Sequence, residues 1–594
     1  MLKYSPLITI LSPLIGWLIL TLFRSSISRR VAGVISSAAV AISCITVGLS
    51  ANTILGGHPI DINLFNWISI PAMTLSLGLT LDKLSLLMGV MITGVGLLVH
   101  IYSIGYMAHD DNGTRYFSYL NLFIFFMLLL VMSDSMIGTF MGWEGVGLCS
   151  YLLIGFWNHN QLYLKAAVKA FVMNRIGDVG FVIAMAILAF QYGTLSYSEL
   201  IHHLTVAPMS ALALLTVGIG IVVALCGKSA QFPLYTWLPD AMAGPTPVSA
   251  LIHAATMVTS GIYLVNRLHI IFDLSHPAQQ LLLILGLLTL MIGGITATFQ
   301  NDLKKILAYS TVSQLGFMVT ALGLGWYQVA LFHMLTHAFF KALLFLSAGN
   351  IIHGLDGEQD IKNMGGVRKL LPVTTLMMGI GTLSLIGLPP LSGFFSKDAI
   401  LAAALAKSPI IFGILVLGAA LTSFYMSRLI GYVFLGTYRG SVSHPHEGSV
   451  SMTGSLIVLG ALSIAGGIFK TVFDLPETHH IEILLICLSL GIISTFGTVG
   501  IWWARRTVAL QPSVRVIVGI DAVYDRFVVA PYLYFSRVIM NAVDRGLNHT
   551  VMNVGTVTRW VASGVVQIHT GNIGTYVILM ILGIIALFLK VVAH

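Results

Sequence analysis

The sequence predicts an all-α polytopic membrane protein with about 16 transmembrane helices, and three observations carry that prediction. Of 594 residues, 57% are apolar and only 9% are charged, whereas a soluble domain carries about a quarter charged residues. The mean hydropathy of +0.92 also excludes disorder, which needs few apolar residues and much charge. Finally, apolar stretches of about 17–25 residues, long enough to cross a bilayer core, recur from end to end.

The elements follow in chain order. The first apolar run, 7–23, is long for a signal peptide. Its arginines, Arg24, Arg29 and Arg30, follow it instead of preceding it, so it reads as a span. A second span covers 31–51. Within 52–81, Asp61-Ile62-Asn63-Leu64 and Thr74-Leu75-Ser76-Leu77 alternate polar and apolar, which predicts a short surface β-hairpin. Further spans fall at 83–106, 116–133, 136–156, 165–191, 211–251 (broken), 247–272, 280–299 and 303–323. The rest fall at 327–353, 371–406 (broken), 409–436, 452–470, 482–503 and 572–592.

Residues 507–571 break the pattern. Arg515, Asp521, Asp525, Arg526, Arg537, Asp544, Arg545 and Arg559 alternate with apolar Val523, Phe527, Val528 and Leu533. This predicts a long amphipathic helix lying along the membrane surface, kinked at Pro531. Some fifty residues would reach roughly 75 Å. The plainer reading is an interfacial connector.

Lys and Arg number 30 against 22 Asp and Glu. In a membrane chain that surplus reflects the cationic loops that set orientation, not nucleic acid. After odd-numbered spans stand Arg24, Arg29, Arg30, Arg115, Lys165, Lys304, Lys305, Lys362, Arg368, Lys369, Arg439, Arg505 and Arg506. After even-numbered spans and at the amino end stand only Lys3, Lys83, Lys407 and Lys470. Thirteen against four puts the odd loops in the cytoplasm and both termini outside. Cys44, Cys149, Cys226 and Cys487 are isolated within apolar segments, without the paired spacing of a zinc, haem or iron–sulfur site. No glycine-rich nucleotide fingerprint follows a strand. Any redox chemistry is therefore expected on another chain.

Ionisable residues in the middle of spans are expensive and usually mark an ion or proton route. Glu144 is the one charge in its span. Lys228 precedes the break at Pro233, with His253 further along. Lys397 and Asp398 follow Pro389-Pro390. His333, His337 and Lys341, four residues apart, stack on one helix face. Imidazole and desolvated amine are suited to hand protons along through water. Metal binding by the His pair is a competing reading, although Lys341 on the same face would repel the cation. Plain packing is another, chiefly for His253. Arg175 and Asp178, three apart, are an auxiliary candidate or a static pair within one span.

Proline opens the backbone of a membrane helix. Lys228 precedes its break and Lys397 follows its own, the mirror placement of two units in opposite orientation. AAVKAF at 166–171 and AFFKAL at 338–343 echo each other five spans apart. The predicted organisation is 1–115 (three spans and hairpin), inverted five-helix repeats at 116–272 and 280–436, spans 14–15 at 437–506, lateral helix 507–571 and a last span 572–594. Glu144 beside Lys228 supplies a switch. A close opposite charge changes proton affinity by about 1.4–4 kcal/mol, similar to the roughly 2.3 kcal/mol for one charge against 100 mV.

GWEGVGLCSYLLIGFW, KSAQFPLYTWLPDAMAGPTPVSALIHAATMVTSGIYL and HAFFKALLFLSAG closely resemble the antiporter-like subunits of respiratory complex I, the proton-pumping NADH:quinone oxidoreductase. The lateral helix and sixteenth span, joined through QIHTGNIGTYV, resemble the L-type branch. The resemblance implies that Glu144 and Lys228 form a coupling pair in the cytoplasmic half-channel, with His253 bridging inward. It implies that His333, His337 and Lys341 line a central hydrated axis, and that Lys397, with Asp398, releases protons outward. It implies no cofactor or metal on this chain, with NADH, FMN, iron–sulfur clusters and quinone on partner subunits. It further implies M-, N- and K-type membrane partners reached partly through the lateral helix, and a bacterial inner membrane. Alternatives sharing the core motifs are an Mrp-type Na⁺/H⁺ antiporter subunit, whose large form is longer, and a membrane subunit of a hydrogenase or bicarbonate-transport complex. A non-conducting scaffold is a further alternative, but bracing needs no charges at bilayer depth.

Overall fold

A computed structural model describes residues 2–70, 73–442, 444–473, 475, 482–507, 520–569 and 571–593. Helices α1 (Ser5–Leu22) and α2 (Arg29–Leu55) precede the hairpin β1 (Ile60–Ile70) and β2 (Met73–Leu81). The two strands pair antiparallel from Ile60↔Leu81 to Ile70↔Met73, with two irregularities, as the alternation predicts. Then come α3 (Lys83–Tyr106), α4 (Gly113–Met132), α5 (Met136–Ile154), α6 (Gln161–Tyr192), α7 (Tyr197–Val206) and α8 (Ala211–Lys228). Short α9 (Trp237–Asp240) leads to α10 (Thr246–Ala254), α11 (Ser260–Arg267), α12 (His269–Leu274), α13 (His276–Phe299), α14 (Leu303–Gly323) and α15 (Tyr327–Gly354). The first unit closes with α16 (Pro372–Ile386), α17 (Ser392–Lys407), α18 (Pro409–Phe434), α19 (Val450–Ala465) and α20 (Glu482–Thr507).

Fifteen helices among the described residues are long and apolar enough to cross a membrane. The predicted broken span at 371–406 is not among them because it is two half-helices, α16 and α17, of 15 and 16 residues. They part at Gly387, in the left-handed region at φ +89°, and at Pro389-Pro390. The other predicted break also exists, but the stretch after it differs from expectation. Between Lys228 and Thr246 the chain makes short buried helical turns, so the span does not run on to 251. Instead α10 and α11 together make the next span, itself interrupted at 255–259. No proline marks that interruption. Thr256 and Thr259 hold it by donating their hydroxyls to the carbonyls of Leu251 and Thr256, both at 2.6 Å.

The centre of the bundle is apparent from burial. The most hydrophobic windows of the α10–α11 segment and α15 are 100% buried and that of α14 is 94% buried, whereas most outer spans are near half. α15 packs against α10, α14, α16, α17 and α19. Glycines set one close approach: a Cβ on Gly220 of α8 would lie 2.6 Å from the Gly180 carbonyl of α6. Small residues are what let membrane helices meet backbone to backbone.

The second unit, Gly519–His594, contains α21 (Ile520–Tyr524), a π-helical turn at Asp525–Val529, α22 (Ala530–Ile568) and α23 (Ile573–Val592). A long helix of mixed polarity was expected here. The described helical stretches run without interruption through 5, 5 and 39 residues. Pro531 brings a π-helical turn instead of a helix end, with the Ala530 N–H bonded back to the Asp525 carbonyl. The wider turn relieves the clash that proline makes with the preceding carbonyls. Arg515 lies outside the described residues.

Asp82 starts α3 by a reciprocal capping box. It accepts from Ser85 N–H at 2.8 Å, and the Ser85 hydroxyl accepts from Asp82 N–H at 2.7 Å. It also pairs with Arg267 at the end of α11. Burial works to raise its carboxyl, but Arg267 and Ser85 outweigh it and hold the group below the usual 3.8. A depressed carboxyl stabilises above its unfolded value and loses that contribution as pH falls through the folded one. Asp82→Asn is therefore expected to lower the Tm of the detergent-solubilised protein at neutral pH. It should also flatten the fall in Tm below about pH 4, as scanned by intrinsic fluorescence.

Candidate functional site

The central row is built from two facing helices. His333, His337 and Lys341 are all fully buried on α15. Opposite them α14 presents Ser310, Gln314 and Phe317, a single face at spacings of four and three. The Lys341 ammonium donates to the Ser310 hydroxyl and, at 3.4 Å, to the Leu307 carbonyl. His333 Nε2 meets Gln314 Oε1 at 3.2 Å, and its Nδ1 meets the Ser396 hydroxyl of α17 at 2.9 Å. The His333 and His337 rings are 6.3 Å apart. Next to Ser396, Lys397 donates at 2.7 Å to the Leu385 carbonyl, freed where α16 breaks, and its Nζ lies 5.4 Å from the Phe317 ring centre. Asp398 accepts from Ser489 of α20 at 3.3 Å.

A second cluster lies where α5, α6 and α8 meet. Glu144 pairs with Arg175, so Arg175 and Asp178 do not form the pair within one span that their spacing allowed. Asp178 is buried and accepts the Trp143 indole N–H at 2.6 Å. Lys228, the last residue of α8, is buried with its ammonium 5.6 Å from the Trp143 ring centre. It has no hydrogen-bond partner among the described residues. A Cβ on Gly147 would come within 2.8 Å of that ammonium, so Lys228 fills the space left by this glycine. Thus Glu144 and Lys228 share a cluster, but the direct partner of Glu144 is Arg175.

His253 lies beside the central row, one residue before α10 ends. It is fully buried against Phe345 of α15, the ring centres 4.9 Å apart. Neither its nitrogens nor those of His337 have partners among the described residues. Buried polar groups almost always find partners, and in polar sites of this kind ordered water supplies them. The arrangement therefore suits a hydrated line of proton carriers.

Two residues of this interior were missed from sequence. Lys304 was counted with the loop cations because it lies next to a span boundary. It is buried, donating to the carbonyls of Met242 at 2.6 Å and Gly244 at 2.8 Å. Gln314 escaped notice because it is uncharged, although its spacing from Ser310 was a readable signal. No group of three or more His, Cys, Asp or Glu among the described residues is placed to hold a metal ion. Lys304→Met would leave two buried carbonyls unpaired. It is expected to destabilise by about 1–3 kcal/mol, seen as a lower Tm that Lys305→Met does not reproduce.

Comparison with known proteins follows the same lines. Residues 133–422 match the family described as NADH:quinone oxidoreductase/Mrp antiporter, TM. Residues 67–117 match NADH-Ubiquinone oxidoreductase (complex I), chain 5 N-terminus. The NADH-quinone oxidoreductase subunit L of Mycobacterium tuberculosis H37Rv is 40% identical over 551 residues, covering 87% of each chain. That of Campylobacter jejuni is 43% identical over 495 residues, covering 82% of this chain and 81% of the relative. NADH-ubiquinone oxidoreductase chain 5 of Metridium senile is 44% identical over 466 residues, covering 77% and 76%. Among solved structures, a chain of the Mrp complex from Dietzia sp. DQ12-45-1b superposes with a TM-score of 0.74 at 26% identity, over all of this chain and 63% of that one. A chain of an archaeal membrane-bound sulfane sulfur reductase shares the fold, with a TM-score of 0.71 at 23% identity over 98% and 99%.

Proposed function

The chain belongs to the subunit L family of the NADH-quinone oxidoreductases, and from that premise we propose how it moves protons. It is an antiporter-like, proton-translocating, multi-pass membrane subunit of that respiratory complex. In our reading protons travel outward through Glu144, Lys228, His253, His337, Lys341, His333 and Lys397, driven by electron transfer from NADH to quinone on other subunits. Arg175 acts as an auxiliary by competing with Lys228 for Glu144, and Asp178, held by the Trp143 indole N–H, adds a second carboxylate to the same cluster. Asp398 lies beside the outward end. The observation that carries this reading is the buried row on α15, matched by the polar face of α14 and continued by Ser396 into Lys397.

The chemistry asks little of each group. When Lys341 releases its proton, the Ser310 hydroxyl and Leu307 carbonyl still hold a neutral amine, so neither charge state is abandoned. Moving one charge against 100 mV requires about 2.3 kcal/mol, and a change in one close charge is enough to supply it. The two interruptions marked by proline each have a Lys nearby, Lys228 before one and Lys397 after the other, which supports two inverted repeats at 116–272 and 280–436. The redox cofactors NADH, FMN, iron–sulfur clusters and quinone are assigned to partner subunits. The M-, N- and K-type membrane subunits are the proposed neighbours, with the long helix around α22 bracing them. A bacterial inner membrane with both termini on the periplasmic side completes the reading.

The Mrp-type antiporter reading shares the core, and the solved Mrp chain superposes on all of this one. This chain spans only 63% of that chain's length, whereas it matches the subunit L of M. tuberculosis over 87% of both. The test is to purify the tagged chain in mild detergent and follow NADH:quinone reductase activity on a native gel. Co-migration is expected. Lys341→Ala should then abolish most proton pumping by sealed vesicles while leaving assembly intact. A chain migrating with a few small membrane partners and no reductase activity would favour the antiporter.

A further inference from the structure

The hydrated line needs an intake, and the end of the bundle holding the loops after the odd spans offers one. Tyr106, the last residue of α3, and Thr246, the first of α10, meet hydroxyl to hydroxyl at 3.3 Å. Both line a cavity of about 590 Å³ whose wall also carries Lys165, Lys169, Lys304 and Lys305, together with Asp302 and with Asp240, which pairs with Lys169. On its other side the Tyr106 ring is 6.2 Å from that of His353. His353 lines a second cavity, of about 500 Å³, together with His109 and His446. The tyrosine thus stands between two cavities that open at the same end.

Inward from Thr246, Ser249 and His253 follow at three and seven residues, on one face of α10. Both are buried, and neither the Ser249 hydroxyl nor the His253 ring has a hydrogen-bond partner among the described residues. The Ser347 hydroxyl on α15 is in the same condition. The space beside them is narrow: a Cβ on Gly349 would come 2.6 Å from the Tyr102 hydroxyl and 3.2 Å from Thr246 Cγ2. Beyond the two hydroxyls, Ser249 and His253 are both groups able to pass a proton, and the charges of Lys341 and Lys304 both act on His253.

We propose that the Tyr106–Thr246 hydroxyl pair is the gate through which protons leave this charged cavity for Ser249, His253 and the central row, an intake that joins at His253 the line also fed by Glu144 and Lys228. In each hop a hydroxyl oxygen takes one proton while its own proton passes on, so no hydroxyl changes its charge. His253 receives the proton on one ring nitrogen and gives it up from the other. Rotation of the two hydroxyls then resets the pair. The proposal rests on the proton-translocating reading of the α15 row.

The test uses the complete NADH-quinone oxidoreductase in sealed membrane vesicles, with Tyr106→Phe, Thr246→Val and Thr246→Ser, and Lys341→Ala as reference. The readouts are the initial rate of acidification per NADH oxidised and its solvent deuterium isotope effect. Tyr106→Phe and Thr246→Val should assemble, pump several-fold more slowly and show a larger isotope effect, while Thr246→Ser pumps like the wild type. Tyr106→Phe removes one oxygen and nothing else, so it remains informative if Thr246→Val assembles poorly. If Lys341→Ala stops pumping while Tyr106→Phe pumps at the wild-type rate, the gate is overturned and the row stands. If Lys341→Ala pumps normally, the row and the gate fall together.

Discussion

Everything in the first unit is arranged around the need to satisfy α15. A helix carrying two imidazoles and an ammonium cannot face hydrocarbon, where each unpaired polar group costs several kcal/mol. It is therefore enclosed by α10, α14, α16, α17 and α19. That enclosure dictates the rest of the layout. α14 must turn a polar face, Ser310 and Gln314, toward the row, and α17 must bring Ser396 to its far end. The outer spans, half exposed, are left free to be apolar.

A second pattern concerns how interior cations are held. Lys397 donates to a carbonyl freed where α16 ends, and Lys304 to two carbonyls just before α10 begins. Arg428 of α18, also buried, donates to the Gln300 carbonyl at 2.7 Å beyond the end of α13. Helix ends leave carbonyls without intrahelical partners, and inside a membrane a cation is the natural group to take them. A carbonyl steadies an ammonium without the deep well of a carboxylate pair in a medium of low dielectric. For a residue that must gain and lose a proton, the shallower partner is the useful one. The cluster of α5, α6 and α8 is the contrasting design, with two carboxylates, Arg175 and Lys228 gathered in one place so that partners can change.

Much of the fold was legible in the residues. Runs such as 83–106 and 409–436 are apolar for longer than any soluble helix needs, and the alternation around Asp61 and Thr74 announced the hairpin. Pro233 and Pro389-Pro390 marked two interruptions. The third, at 255–259, carries no proline. It exists because Thr256 and Thr259 can turn their hydroxyls onto nearby carbonyls, a bonding choice made only once the surrounding helices exclude water. Lys304 was misjudged for a related reason: beside a span boundary, a lysine in sequence looks alike whether it reaches water or a buried carbonyl.

The sequence by itself determined the class of solvent, the rough limits of most spans, and the phase of His333, His337 and Lys341 on one face. These depend on local apolarity and on the 3.6-residue period, which any stretch of chain carries on its own. Which partner each charge takes was decided by tertiary structure alone. Arg175 could reach Asp178 along its own helix or Glu144 across to α5, and only the approach of α5 to α6 selects Glu144. Lys341 finds Ser310, and His333 finds Gln314, because α14 and α15 run antiparallel in one register. Pair energies fall within a few ångströms, so such choices belong to the packing of helices and not to any one of them.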